Sequence, residues 1–189
     1  TQDGWLARYV LCTPPTISIQ PTAVNICQSA TASFSVTASN ATGYQWTLGG
    51  SDISGATNST YSISGATPSN NGTFAVRVSN ACSNVISNNA LLTVTPTVNP
   101  GIIGANQTIC SGSSAAVLTE LAAASGGTSS FTYQWQSSPD GSTWSNVASS
   151  GTSSTYSPGT LTVTTHFRRL VTSGNCTNIA SNAVVITVT

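Results

Sequence analysis

The chain has 189 residues, no formal net charge and only 4% charged residues. Its basic residues are Arg8, Arg77, Arg168 and Arg169, too few and too scattered to neutralise a phosphate backbone, so nucleic acid is excluded as a partner. No stretch approaches the roughly 20 apolar residues of a spanning helix, so no membrane insertion is expected. An apolar content of 39% with regularly spaced aromatics argues against disorder. Five cysteines without a Cys-x-x-Cys pair point to disulfides and to an oxidising, extracellular setting. With no signal peptide, the sequence reads as mature, processed or a fragment.

In chain order, residues 1–13 form a short N-terminal strand and linker. Gly4 to Cys12 is aromatic and branched without a breaker, and Thr13-Pro14-Pro15 is stiff. Asp3-Gly4-Trp5-Leu6-Ala7-Arg8-Tyr9 resembles the closing strand of some bacterial β-propeller repeats, which implies the tail of an upstream domain. An apolar strand of this kind, with Trp5 at its centre, either packs on the next domain or pairs with another sheet edge.

Residues 14–96 then carry strand signals at Ile17-Ser18-Ile19, Ala32 to Val36, Tyr44-Gln45-Trp46, Tyr61-Ser62-Ile63, Thr73 to Val78 and Leu91 to Val94. Most alternate apolar and polar residues with period two, as half-buried strands do. Turns are expected at Thr42-Gly43, Gly49-Gly50, Ser54-Gly55 and Asn71-Gly72. Residues 97–189 repeat the plan. Cys82 to Thr95 aligns without gaps on Cys176 to Thr189, an offset of 94 that falls to 89 at Trp46 and Trp135 and to 83 at Cys27 and Cys110. Such differences place the extra residues in loops and leave the sheets intact. The expected fold class is all-β: two tandem sandwiches, 14–96 and 97–189, behind a short N-terminal strand, with Trp46 and Trp135 pinning the two cores.

Both repeats resemble immunoglobulin-like (Ig-like) domains, and more narrowly those of large cell-surface and adhesin proteins of the type IX-secreting, gliding-bacteria kind. The first carries Tyr44-Gln45-Trp46, Ile53 to Thr57, Tyr61-Ser62-Ile63 and Asn71 to Asn80. The second carries Tyr133 to Trp144 and Arg168 to Cys176. An antibody domain keeps cysteines on the two core strands flanking its tryptophan, but here Phe34 and Val76 stand at those positions. The cysteines lie outside, at Cys27 and Cys110 before the Phe34-type strand and at Cys82 and Cys176 after the Val76-type strand. Repeat symmetry favours Cys27–Cys82 and Cys110–Cys176, leaving Cys12 unpaired or joined to an external partner. Sandwich geometry opposes this, because those sites normally lie at opposite ends of the fold. The rivals are Cys12–Cys82 and Cys27–Cys176.

Few residues suggest chemistry. His166 is the sole histidine, and Asp3, Asp52, Glu120 and Asp140 are dispersed. No calcium-loop, nucleophile-elbow or phosphate-cradling pattern occurs, so no enzyme, cofactor or metal site is expected. Ser138-Pro139-Asp140-Gly141-Ser142-Thr143-Trp144 looks like an Asp-box hairpin one residue short. It reads as an Asp-Gly turn with Trp144 on the sheet, or, less favoured, as an exposed platform for a sugar ring with Asp140 and Trp144 as binding candidates. In the Phe167 strand, alignment sends Arg168 or Arg169 to the inward place of Val76. Because an unpaired buried guanidinium is too costly, a bulge or an arginine against an aromatic face, Trp135 first, is expected.

The favoured reading is a non-catalytic extracellular Ig-like tandem, a stalk or adhesion segment of a larger bacterial surface or secreted protein. Its partners would be neighbouring domains, copies of itself, surface glycans or other cell-surface proteins. The alternatives are a self-assembling filament subunit that uses its N-terminal strand for β-augmentation, and an accessory carbohydrate-binding module of a secreted hydrolase.

Overall fold

A computed structural model describes residues 12–189; the strand expected over residues 1–12, Trp5 included, falls almost wholly outside the described residues. The chain divides into two units, one holding the described residues to Asn25 with Ala30–Thr93, the other Ile26–Ser29 with Val94–Thr189.

The first repeat contributes β1 (Thr16–Ile19), β2 (Val24–Cys27), β3 (Ala32–Ser35), β4 (Thr37–Ser39), β5 (Gly43–Leu48), β6 (Ser51–Asp52), β7 (Thr60–Ile63), β8 (Gly72–Ser79), β9 (Asn84–Ile86) and β10 (Ala90–Thr95). The larger sheet runs β2-β10-β8-β5-β6, with β9 also on β8, and β3 pairs β7. Alternation decides which side chains go inside. Phe74, Val76 and Val78 of β8 are buried together with Phe34 of β3, Trp46 of β5 and Leu92 of β10. Phe34 stacks on Phe74 at 4.7 Å between centroids and meets Trp46 at 6.0 Å. The Trp46 indole N–H donates to the Asn58 carbonyl at 2.9 Å, so its polar atom is satisfied. Gly49, Gly50 and Gly55 take positive φ as turn residues should. Gly43 and Gly72 do not: they open β5 and β8, and the left-handed residue before β5 is Asn40.

The second repeat adds β11 (Val98–Asn99), β12 (Ile102–Ile103), β13 (Gln107–Ile109), β14 (Ser113–Ser114), β15 (Glu120–Ala122), β16 (Ser125–Gly126), β17 (Thr132–Ser138), β18 (Ser145–Asn146), β19 (Thr160–Leu161), β20 (Thr165–Ser173), β21 (Cys176–Ala180) and β22 (Val184–Val188). Its sheet order, β13-β22-β20-β17-β18 with β21 on β20, repeats the first. Trp135 packs with Ile103, Leu118, Phe167 and Ile186, and its indole N–H donates to the Ser153 carbonyl at 2.9 Å. The register is also conserved between repeats: Trp46 stands opposite Val76, and Trp135 opposite Arg169.

Candidate functional site

That register puts a cation where the first repeat keeps a valine. Arg169 is fully buried, and β17 pairs β20 through Trp135↔Arg169 without a bulge. Its backbone N–H is bound by the Ser181 hydroxyl at 3.0 Å, as that of Val76 is by Ser87 at 2.9 Å, so the strand needs no rearrangement. The guanidinium is satisfied by contacts from several elements. It donates to Glu120 at 2.6 Å, to the Ser154 carbonyl at 2.7 Å and to the Pro100 carbonyl at 3.0 Å. It also lies 4.4 Å from the Tyr133 ring centroid and 6.0 Å from that of Trp135. The aromatic face is therefore chiefly that of Tyr133, two residues before the expected tryptophan and hence on the same side of β17. Nε alone has no partner. This arrangement neutralises a buried charge.

On the opposite side of β20, Arg168 lies 4.3 Å above the half-buried Trp144 ring and donates to the Gln136 side chain at 2.8 Å. The β17–β18 hairpin that presents Trp144 is closed by Asp140. Its carboxylate accepts the backbone N–H groups of Thr143 at 2.7 Å and Ser142 at 2.8 Å, and the Ser138 hydroxyl at 2.9 Å. The backbone N–H groups of Thr143 and Ser142, then the Ser138 hydroxyl, hold its pKa well below the ordinary carboxylate range. Gly141 supplies the positive φ. Asp140 is thus engaged by its own turn, and one face of Trp144 is covered by Arg168.

Elsewhere, Arg77 pairs with Asp52 at 2.8 Å on the exposed face of the first unit. An open groove of about 460 Å³ lies there, lined by Thr47, Thr73, Ala75, Arg77 and Ile86 among others. Nothing in the sequence marks this groove, because its lining residues occupy ordinary outward strand positions. No group of three or more His, Cys, Asp or Glu side chains suited to a metal occurs among the described residues.

The cysteine pairing favoured by repeat symmetry is corrected. Cys12 bonds Cys82, Cys27 bonds Cys176, and Cys110 is free and exposed; Cys12 is therefore not the unpaired thiol. The reason is strand direction. Cys27 ends a strand of its own, β2, next to β10, and Gln28 N–H donates to the Thr95 carbonyl at the end of β10. Because β10 runs antiparallel to β8, with Leu92 opposite Gly72, that end lies beside the start of β8, whereas Cys82 follows its end. Eight strand residues separate those ends by roughly 25 Å, far beyond the about 7 Å between Cα atoms that a disulfide tolerates. The same direction of β22 on β20 separates Cys110 from Cys176. Cys176 is buried with Val98 and Val171.

These features define an all-β protein of two Ig-like sandwiches in tandem. Residues 12–93 match the family model of a PKD-like domain, and residues 99–189 match that of a domain of unknown function, DUF8696. No curated protein matches the chain. Among solved structures it is similar to a crystallised multidomain segment of titin, with 16% identity over 91% of this chain and 65% of that one and a TM-score of 0.59. It is also similar to the three N-terminal domains of the highly immunogenic outer capsid protein (Hoc) of bacteriophage RB49. There the identity is 13%, the coverage 93% and 69%, and the TM-score 0.58. The chain thus spans just under two thirds of the titin segment. At these identities the likeness concerns fold. Folds of this class commonly serve as non-catalytic modules, and the two disulfides fit an extracellular protein.

Proposed function

We propose that this chain is a non-catalytic extracellular stalk or adhesion segment of a larger bacterial surface or secreted protein, of the type IX-secreted, gliding-bacteria kind. One observation carries the reading: every acid and arginine among the described residues has a partner within the chain. Asp52 pairs with Arg77, Glu120 with Arg169, Asp140 closes its turn, and Arg168 lies on Trp144. A carboxylate that serves as a general acid or base has to be free to exchange a proton with a substrate, and Asp52, Glu120 and Asp140 are each held by a partner instead. What remains outside is a surface rich in Ser, Thr and Asn, suited to a hydrated spacer between neighbouring domains. The test is replacement of residues 12–189 in the parent protein by an unrelated Ig-like pair of similar length. Retained surface display and adhesion support the spacer reading; lost adhesion with normal display shows that this segment carries a ligand site of its own.

A carbohydrate-binding role draws support from the Trp144 ring beside Gln136, Asn146 and Arg168 on the outer sheet face. Glycan-array binding that disappears in Trp144→Ala would favour it, and binding unchanged by Trp144→Ala would remove the platform. The filament reading is tested by deleting residues 1–11, which leaves Cys12 in place for Cys82. Filaments that persist would end it.

A further inference from the structure

Cys110 and Cys27 occupy the same place in the two repeats. Cys27 ends β2, which lies along β10; Cys110 directly follows β13, which pairs with β22 through Gln107↔Ile186 and Ile109↔Val188. The residue after each cysteine donates its N–H to the carbonyl of the corresponding threonine, Gln28 to Thr95 at 2.8 Å and Ser111 to Thr189 at 3.0 Å. Cys27 is bonded, Cys110 is not.

The second unit, which includes residues 26–29 and 94–189, shows what such a place receives. The turn Gly174-Asn175-Cys176 settles on the end of β10. Asn175 directs its backbone N–H and its side-chain amide to the Thr95 hydroxyl at 3.4 and 3.3 Å, and a side chain at Gly174 would collide with Thr128 and Thr95. Cys176 reaches Cys27 from that turn and is fully buried. Thr95 is buried under this contact, whereas Cys110, at the place equivalent to Cys27, is exposed.

We infer that Cys110 and Thr189 form the receiving site for a further Ig-like repeat, which docks a Gly-Asn-Cys-type turn and bonds Cys110 as Cys176 bonds Cys27. The incoming repeat continues the same chain, as residues 96–189 continue from Thr95. The chemistry is thiol–disulfide exchange with an oxidised dithiol carrier of the export compartment. The Cys110 thiolate attacks one carrier sulfur, forming a mixed disulfide and releasing a carrier thiolate. The incoming cysteine thiolate then attacks the Cys110 sulfur and expels the second carrier thiolate. Two protein thiols become one disulfide, the carrier disulfide becomes two thiols, and the two protein protons end on the carrier. The inference rests on the repeat geometry and not on the stalk reading, so either fails without the other.

The test extends the full chain after Thr189 by a second copy of residues 96–189 whose own Cys110 is changed to serine, produced in an oxidising compartment. The junction reproduces Thr95-Pro96. Thiol titration in denaturant without reductant is expected to find no free thiol, and a chymotryptic map to join the Cys110 peptide to a Cys176 peptide. Trypsin is unsuitable because no Arg or Lys separates Cys82 from Cys110. Two free thiols per molecule, with the copy shown to be folded by its protease resistance, overturn the inference. Iodoacetamide labelling of the protein from its native source is a second measurement that needs no variant. Cys110 protected until reduction, and mapped to a cysteine of another Ig-like repeat, supports the inference. Unchanged mobility without reductant places the bond within the chain and supports the inference, whereas a covalent dimer, with Cys110 bonded to a second molecule, overturns it. Cys110 alkylated at once, or capped by a small thiol, overturns it.

Discussion

Arg169 shows how one residue changes the requirements of a core. The position calls for an inward side chain opposite Trp135, and valine meets that need at Val76 in the first repeat. A guanidinium there needs Glu120, two carbonyls and the Tyr133 face to offset its lost hydration. Removing Glu120 leaves the charge uncompensated, so Glu120→Ala should destabilise by about 2–4 kcal/mol, discounted because the glutamate side chain is 26% exposed. Arg169→Met, which removes the charge and keeps much of the volume, should cost far less, and in the double variant it should relieve most of the Glu120→Ala penalty. Urea melts of the four proteins check this. Trp46 and Trp135 lack the central bridge of an antibody domain and are fully buried. Trp46→Ala and Trp135→Ala should each cost roughly 3–5 kcal/mol, enough to abolish the cooperative unfolding transition of the affected unit in calorimetry.

The β17–β18 hairpin shows how an element can imitate a site. An Asp, a Gly and a Trp within five residues resemble a recognition loop, yet the carboxylate closes the turn. A carboxyl whose folded pKa is depressed contributes stability that is complete above its unfolded value near 3.9 and is lost as pH falls through and below it. Asp140→Asn, which cannot titrate, should therefore lower stability at pH 7 and flatten its decline between about pH 5 and pH 2. Thermal melts across that range read the effect, and an unchanged acid slope would count against it. That turn was legible from Asp140-Gly141 alone. The stacking of Arg168 on Trp144 was not, because the two residues lie on different strands and meet only through the register of β17 with β20.

For the whole molecule the cysteines matter most. The Cys12–Cys82 bridge spans 70 residues. Closing a loop of that size is worth roughly 4 kcal/mol in the chain-entropy model. Cys82→Ser should lower the melting temperature of the first unit and expose a second thiol at Cys12. The oxidised parent chain should show one rapidly reacting thiol, absent from Cys110→Ser. Ellman titration in native buffer distinguishes these outcomes.

Period-two alternation, the paired Tyr-Gln-Trp segments and the gapless match of Cys82–Thr95 with Cys176–Thr189 were sufficient for two all-β repeats. Strand burial follows from which residues alternate, and that information is local. That one of Arg168 and Arg169 points inward was legible for the same reason, but which one was decided by the register Trp135↔Arg169. Which cysteines meet was not. That depends on β2 and β13 lying along the last strands of their sheets, a pairing between segments far apart in sequence. Repeat symmetry says only that two cysteines are equivalent. Strand direction carries each symmetric pair to opposite ends of a sheet and so excludes it; Cys27 bonds Cys176 instead, and Cys110 is exposed.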